Sequence, residues 1–175
     1  VLPVRSDVAL HDASGQAKEG QATMFTAAPV KDGDGTVLAV IALRTDSTLS
    51  FSRLFQAGRI GHSGETYGFD GAGKMLSHSR FSAALIQAGL IQPGQQEILN
   101  VRTSDPGGNL LEGYRPLTPP SEQPLTFMAA EALAGRDGMK VQGYRDYRGV
   151  PVLGAWAWDT DMGMGLATEI DEVEA

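Results

Sequence analysis

Apolar and polar positions alternate along this chain in short blocks, and the blocks predict mostly strands. Residues 22–30 (ATMFTAAPV) and 36–44 (TVLAVIALR) are two apolar runs separated by KDGDG, the arrangement of a hairpin with an Asp-Gly turn. Phe51, Leu54 and Phe55 stand at i, i+3 and i+4, which predicts a helix from a cap at Asp46 or Ser47 to about Gly58. A second hairpin is expected from residues 65–70 (ETYGFD) through the turn GAG to residues 74–79 (KMLSHS). Phe81, Ala84, Leu85 and Ala88 trace a short helix closed by Gly89.

From Leu90 to about Gln123 the chain is rich in Pro and Gly and has no period, so it reads mostly as loop. Residues 124–135 (PLTFMAAEALAG) have the form of a helix with Pro in the first turn and Gly past the end. Three strands then follow, near 139–147, 150–158 and 163–170. In the second, Val150, Val152, Gly154, Trp156 and Trp158 share one face; in the third, Met164, Leu166, Thr168 and Ile170 do. The order strand, strand, helices, three strands implies an α+β fold with a five-stranded antiparallel sheet over residues 65–170, and with the 22–44 hairpin outside it.

Charge and composition narrow the function. Fourteen basic against 21 acidic residues give a formal net charge of -7, so a polyanion is repelled on average and nucleic acid is not an expected partner. The longest apolar run, VLAVIAL at residues 37–43, is far shorter than the roughly 18 residues a membrane helix needs. There is no cysteine, which removes disulfides, thiolate metal sites and Cys nucleophiles. The chain opens at Val1 without a signal-like stretch and reads as a segment of something longer.

Short motifs point away from catalysis. GFDGAGKM matches the glycines and lysine of a phosphate-binding loop, but Met75 stands where Ser or Thr is required and a strand is expected where a helix must begin. GHSGE at residues 61–65 has its second glycine one place too early for a nucleophile elbow. DGDG at residues 32–35 lacks the closing Glu of a calcium loop. His11, His62 and His78 have no metal-ligand spacing, and neither a metal nor a cofactor is expected.

What remains is an aromatic cluster, GYRDYRGVPVLGAWAWD at residues 143–159, in a chain with only 7% aromatic residues. Tyr and Trp on strands serve either as core or as the wall of a small-molecule pocket with a few fixed polar groups.

AAPVKDGDGTVLAVIALR, GHSGETYGFDGAGKMLSHSRF, and YRDYRGVPVLGAWAWD followed by MGLATEIDEVEA together resemble the double-Cache extracytoplasmic sensor domains of bacterial membrane receptors, whose modules are PAS-like. The resemblance covers most of the chain from about Ala22. It implies part of a membrane-distal module at residues 1–46, a connecting helix at 47–64 and a membrane-proximal PAS-like module at 65–175. It further implies a soluble periplasmic or extracellular segment of a membrane-anchored histidine kinase, nucleotide cyclase or chemoreceptor. Such a segment is non-enzymatic and turns ligand occupancy into movement.

The R-x-W-Y run of many distal modules is absent, so amino-acid specificity is not carried over. In the proximal module the equivalent pocket would take Tyr67, His78, Arg80, Tyr144, Asp146, Trp156 and Trp158. Arg80 would then fork onto a small anionic or polar ligand or, alternatively, pair with Asp146. A structural spacer or homodimerisation module without a ligand is the other reading.

Overall fold

The computed structural model describes residues 2–7, 10, 11, 14–18, 20–47 and 51–175. The 22–44 hairpin forms as β4 (Ala22–Lys31) and β5 (Val37–Asp46), paired antiparallel with Ala28 opposite Ile41. Asp32 closes its turn, its Oδ1 accepting the amides of Asp34 and Thr36, while Gly35 takes the positive φ of 86° that the chain reversal needs. Ahead of it lie β1 (Val4–Arg5), β2 (Leu10–His11) and β3 (Ala17–Lys18). β1 joins β4 and β5 in a three-stranded sheet, and β2 pairs with β3. Two-residue strands have no period to read, and none of the three was expected from the sequence.

α1 (Phe51–Gln56) ends near the expected place, while the expected run from its cap crosses residues 48–50, which lie outside the described residues. Phe51 and Phe55 are buried as expected, but Leu54 is exposed, because only one edge of this six-residue helix meets the sheet.

The second sheet contains β6 (Glu65–Phe69), β7 (Gly138–Arg145), β8 (Pro151–Asp159) and β9 (Met164–Asp171) in the antiparallel order β6-β9-β8-β7. It has four strands among the described residues, not the expected five. Residues 74–79 form only isolated bridges, Met75 to Phe69 and Lys74 to Arg102. Their backbone groups are divided between two partners, which is why no continuous ladder develops. Leu76 N donates to Gly68 O on β6 at 2.8 Å, whereas Met75 N donates to Val101 O at 2.9 Å and Met75 O accepts from Leu99 N at 2.7 Å.

Two short helices cover one face of this sheet's neighbourhood: α2 (Ser82–Gln87) and α3 (Phe127–Leu133). Gly89 and Gly135 follow them with φ of 77° and 70°, as the sequence predicts. α3 begins at Phe127, so Pro124 lies ahead of it and not in its first turn, and Thr126 caps it, its hydroxyl accepting Ala129 N at 3.3 Å. The 90–126 segment is loop with one 3-10 turn, Leu110–Glu112.

The face of the sheet toward α3 holds the larger core, with Tyr67, Phe69, Val152, Trp156 and Ala167 against Met128, Ala129 and Ala132. Gly165 permits this packing: a Cβ there would lie 2.1 Å from the Phe69 ring. A smaller cluster of Phe51, Phe55, Leu76 and Met164 fills the opposite side of β6 and β9, and Leu2, just ahead of β1, and Met24 of β4 pack against it.

Candidate functional site

Three strands converge on one buried carboxylate. Glu65 on β6 pairs in register with Glu169 on β9, and Tyr67 pairs with Ala167, so Tyr67 and Glu169 lie on the same, inner face. The Tyr67 hydroxyl donates to Glu169 Oε2 at 2.6 Å. Tyr144 on β7 reaches the other oxygen, Oε1, at 2.7 Å by passing over Gly154 of the intervening β8. A Cβ at Gly154 would come within 2.3 Å of that hydroxyl, so a glycine is what opens the route. An irregularity in β7 between Lys140 and Tyr144 sets the tyrosine's place in the ladder.

A second carboxylate lies on the same face. Glu65 accepts the Tyr147 hydroxyl at 2.5 Å and the Arg80 amide at 2.6 Å, and Ser79 Oγ lies 2.9 Å from the same Tyr147 oxygen. A third, Asp146, is bound by Arg148 Nε at 2.5 Å, and Arg148 also donates to Asp171 at 2.6 Å. The Arg148 guanidinium is itself buried and stacks 3.7 Å from the Phe81 ring centroid.

Three carboxylates are thus buried near one buried cation, which bonds Asp146 rather than Glu65 or Glu169, an arrangement that disfavours full ionisation. Burial is the main cause that lifts the Glu169 pKa from 4.5 to about 8; the charges of Asp146 and Glu65 add to it, and the two tyrosine bonds oppose it. Burial likewise raises Asp146 to about 6 against the pull of Arg148, and raises Glu65. Tyr67, Tyr144 and Tyr147 are also pushed up, first by burial and then by their carboxylate neighbours, so they stay protonated donors.

Of the residues expected at a pocket, the fold brings Tyr67, Tyr144 and Trp156 together. Trp156 stands edge-on to Tyr144, with centroids 6.2 Å apart, and to Phe127 at 5.6 Å, while its Nε1 donates to Arg136 O at 2.8 Å. Lys140 places its ammonium 3.8 Å from the Phe127 centroid. Trp158 is half-buried against Phe69. Asp146 belongs to the inner-face network, but its cation is Arg148 and not Arg80. His78 Nδ1 lies 2.5 Å from Glu97, whose other oxygen takes the Ser82 hydroxyl.

Arg80 does not pair with Asp146, the alternative expected for it. Its guanidinium donates to the carbonyls of Ile60, Gly61 and Gly64, because the turn before β6 presents three carbonyls to it. On the same turn the amides of His62 and Ser63 each donate to Glu174 at 2.7 Å, and the Ser63 hydroxyl adds a third bond. Those bonds hold the Glu174 pKa down to about 2. Ser63 Oγ also accepts Asp171 N at 3.1 Å, so the end of β9 and the segment after it are fastened to the 60–64 turn.

The sequence did not point to Glu65, Glu169, Tyr147 or Arg148. The available signal was the period of two that aligns Glu65 with Tyr67 and Glu169 with Ala167. The phosphate-loop look-alike is a tight turn, with Asp70 Oδ1 accepting the amides of Ala72 and Lys74. Among the described residues no group of three or more His, Asp or Glu side chains is placed to hold a metal ion, and no helix is long and apolar enough to cross a membrane.

No family model matches the chain, and no curated protein matches it by sequence. Among solved structures, the periplasmic sensory domain of the Campylobacter jejuni chemoreceptor Tlp1 aligns with 99% of this chain at a TM-score of 0.54 and 12% identity. The extracellular domain of mmHK1S-Z3, described as a putative histidine kinase, aligns with 99% at a TM-score of 0.49 and 13% identity. This chain covers 48% and 50% of those two chains, so it spans about half their length. The chain therefore shares the α+β fold of half of an extracytoplasmic sensory domain.

Proposed function

We propose that this chain is a non-enzymatic sensing module from the extracytoplasmic part of a membrane-anchored receptor, and that a small polar ligand at the inner-face network alters the end of β9. The observation that carries the reading is a single connection: β9 holds Glu169 at the network, and three residues after its end Glu174 is fastened to the 60–64 turn. A shift of β9 on ligand binding would reach that fastening directly, provided the ligand binds the two states with different affinity. The ligand-facing set is Tyr67, Tyr144 and Trp156 with Glu169, and three buried carboxylates there favour a ligand without net negative charge over the anion expected from Arg80.

The division into modules belongs to the same proposal. Residues 65–175 would be the membrane-proximal PAS-like unit, with 74–77 in the place of its fifth strand. The β4–β5 hairpin would come from a distal module: Val37, Leu38, Val40, Ile41 and Leu43 are all exposed on a strand whose unbroken apolar run suits burial on both faces.

A melting-temperature screen against amino acids, amines, sugars and short carboxylates tests the reading. A binder at a hundredfold its Kd adds about 2.7 kcal/mol of stability. Tyr144→Phe should weaken that binder.

A spacer or dimerisation module without a ligand is the second reading, and closure of the network favours it. Both Glu169 oxygens and the hydroxyls of Tyr67 and Tyr144 are bonded within the protein, so a ligand must break one of these bonds before making its own. On that reading no compound in the screen shifts the melt.

A further inference from the structure

A separate crevice of about 290 Å³ opens between the end of α2 and the proline-rich loop 115–123. Its buried lining includes Leu110 and Pro106, with Leu90 half-buried beside them, and Pro116 and Pro120 form part of its wall. Leu117 is fully exposed at its edge. The loop is fastened from below. Arg102 donates to Pro120 O at 3.1 Å and to Gln123 O at 2.7 Å. Gln123 then donates to Thr118 O at 2.9 Å and accepts the Ser104 hydroxyl at 3.2 Å. Four prolines in the lining fix their own φ, so little conformational freedom is left to lose when something enters.

Arg115 sets the chemistry of the occupant. Arg136, Arg145 and Arg148 each hold a carboxylate. Arg115 is exposed at the crevice and, among the described residues, donates only to the carbonyl of its neighbour Tyr114, at 3.0 Å. In a chain of net charge -7, an exposed guanidinium that pairs with no carboxylate among the described residues, at the mouth of a crevice lined largely by Leu and Pro, attracts an anion.

We infer that this crevice is a binding site for a small organic carboxylate with an apolar body, the body against Leu90, Leu110 and Pro106 and the carboxylate on Arg115. The site is independent of the inner-face network: it shares no residue with it, and its occupancy does not require the sensing role proposed above.

Two-dimensional amide NMR titration with sodium benzoate, and with benzamide as its neutral isostere, tests the inference. Benzoate should shift the amides around residues 88–90 and 110–123 saturably, with a Kd of about 1 mM or tighter, and benzamide should bind about tenfold more weakly. Arg115→Gln should bring benzoate down to the level of benzamide with an unchanged melting temperature. Tyr144→Phe should leave the benzoate titration as in the wild type, which separates this site from the inner-face network. Absence of saturation up to about 10 mM benzoate, equal binding of benzoate and benzamide, or wild-type affinity in Arg115→Gln would each overturn the assignment.

Discussion

Replacing Glu169 with Gln removes one ionisable group from the centre of the sheet while keeping its shape. In the wild type this carboxyl is buried, bonded by two tyrosines, and has a pKa of about 8 against 4.5 when exposed. Between those values the folded protein keeps a proton that the unfolded chain has released. More protons are bound in the folded state, so stability falls as pH rises across this window, by up to about 1.4 kcal/mol per pH unit for one proton. The contribution is fully present below about pH 4.5 and is gone above about pH 8, a total of a few kcal/mol.

The Gln variant lacks this dependence. At pH 5 the two proteins should differ by no more than about 1 kcal/mol, since the neutral acid and the amide make similar bonds to Tyr67 and Tyr144. By pH 8 the variant should be the more stable by a few kcal/mol. Urea unfolding followed by tryptophan fluorescence at pH 5 to 9 gives the difference directly, and that difference reports Glu169 together with its coupling to Asp146 and Glu65. A difference that is flat with pH, or a variant that becomes less stable relative to the wild type as pH rises, would refute the reasoning.

Three further substitutions probe the framework around the site. Arg148→Met leaves Asp146 buried without its cation and should cost about 3 to 5 kcal/mol in urea unfolding at pH 7, part of it restored by adding Asp146→Asn. Gly149→Ala must hold a φ of 78° and place a Cβ 1.9 Å from Gly108 O, so a loss of about 2 to 4 kcal/mol is expected in the same assay. Arg80→Ala removes the donors that tie Ile60, Gly61 and Gly64 and should lower stability by about 1 to 3 kcal/mol without changing the affinity of any ligand found in the melting screen.

The β4–β5 hairpin and the last three strands were legible because each is a period-two or continuous apolar run bounded by Gly, Asp or Pro, and local chemistry alone sets such boundaries. The same local reading failed at residues 74–79. Their alternation fits a strand, but Val101 and Leu99, distant in sequence, take backbone bonds that a fifth strand would have used. The site divided along the same line. Tyr144 and Trp156 drew notice as aromatics on strands, and Tyr67 through the resemblance to double-Cache domains. Glu169, two residues before the acidic stretch that begins at Asp171, looks like a solvated carboxylate; its burial depends on two tyrosines from other strands and on the missing side chain at Gly154. The expected alternative of Arg80 paired with Asp146 gives way to Arg148, and the three carbonyls that Arg80 meets belong to the folded 60–64 turn, which no local pattern announces.

On the proposed function the inner-face network and the end of β9 move together when a ligand binds. Amide hydrogen exchange of the wild type, with and without a compound that raises its melting temperature in the screen, measures this directly. Slower exchange is expected around Tyr67, Tyr144 and Glu169 together with a changed rate at His62 and Ser63, whose amides hold Glu174. A compound that protects the network amides while leaving His62 and Ser63 unaltered, or a screen in which nothing raises the melting temperature, would contradict it.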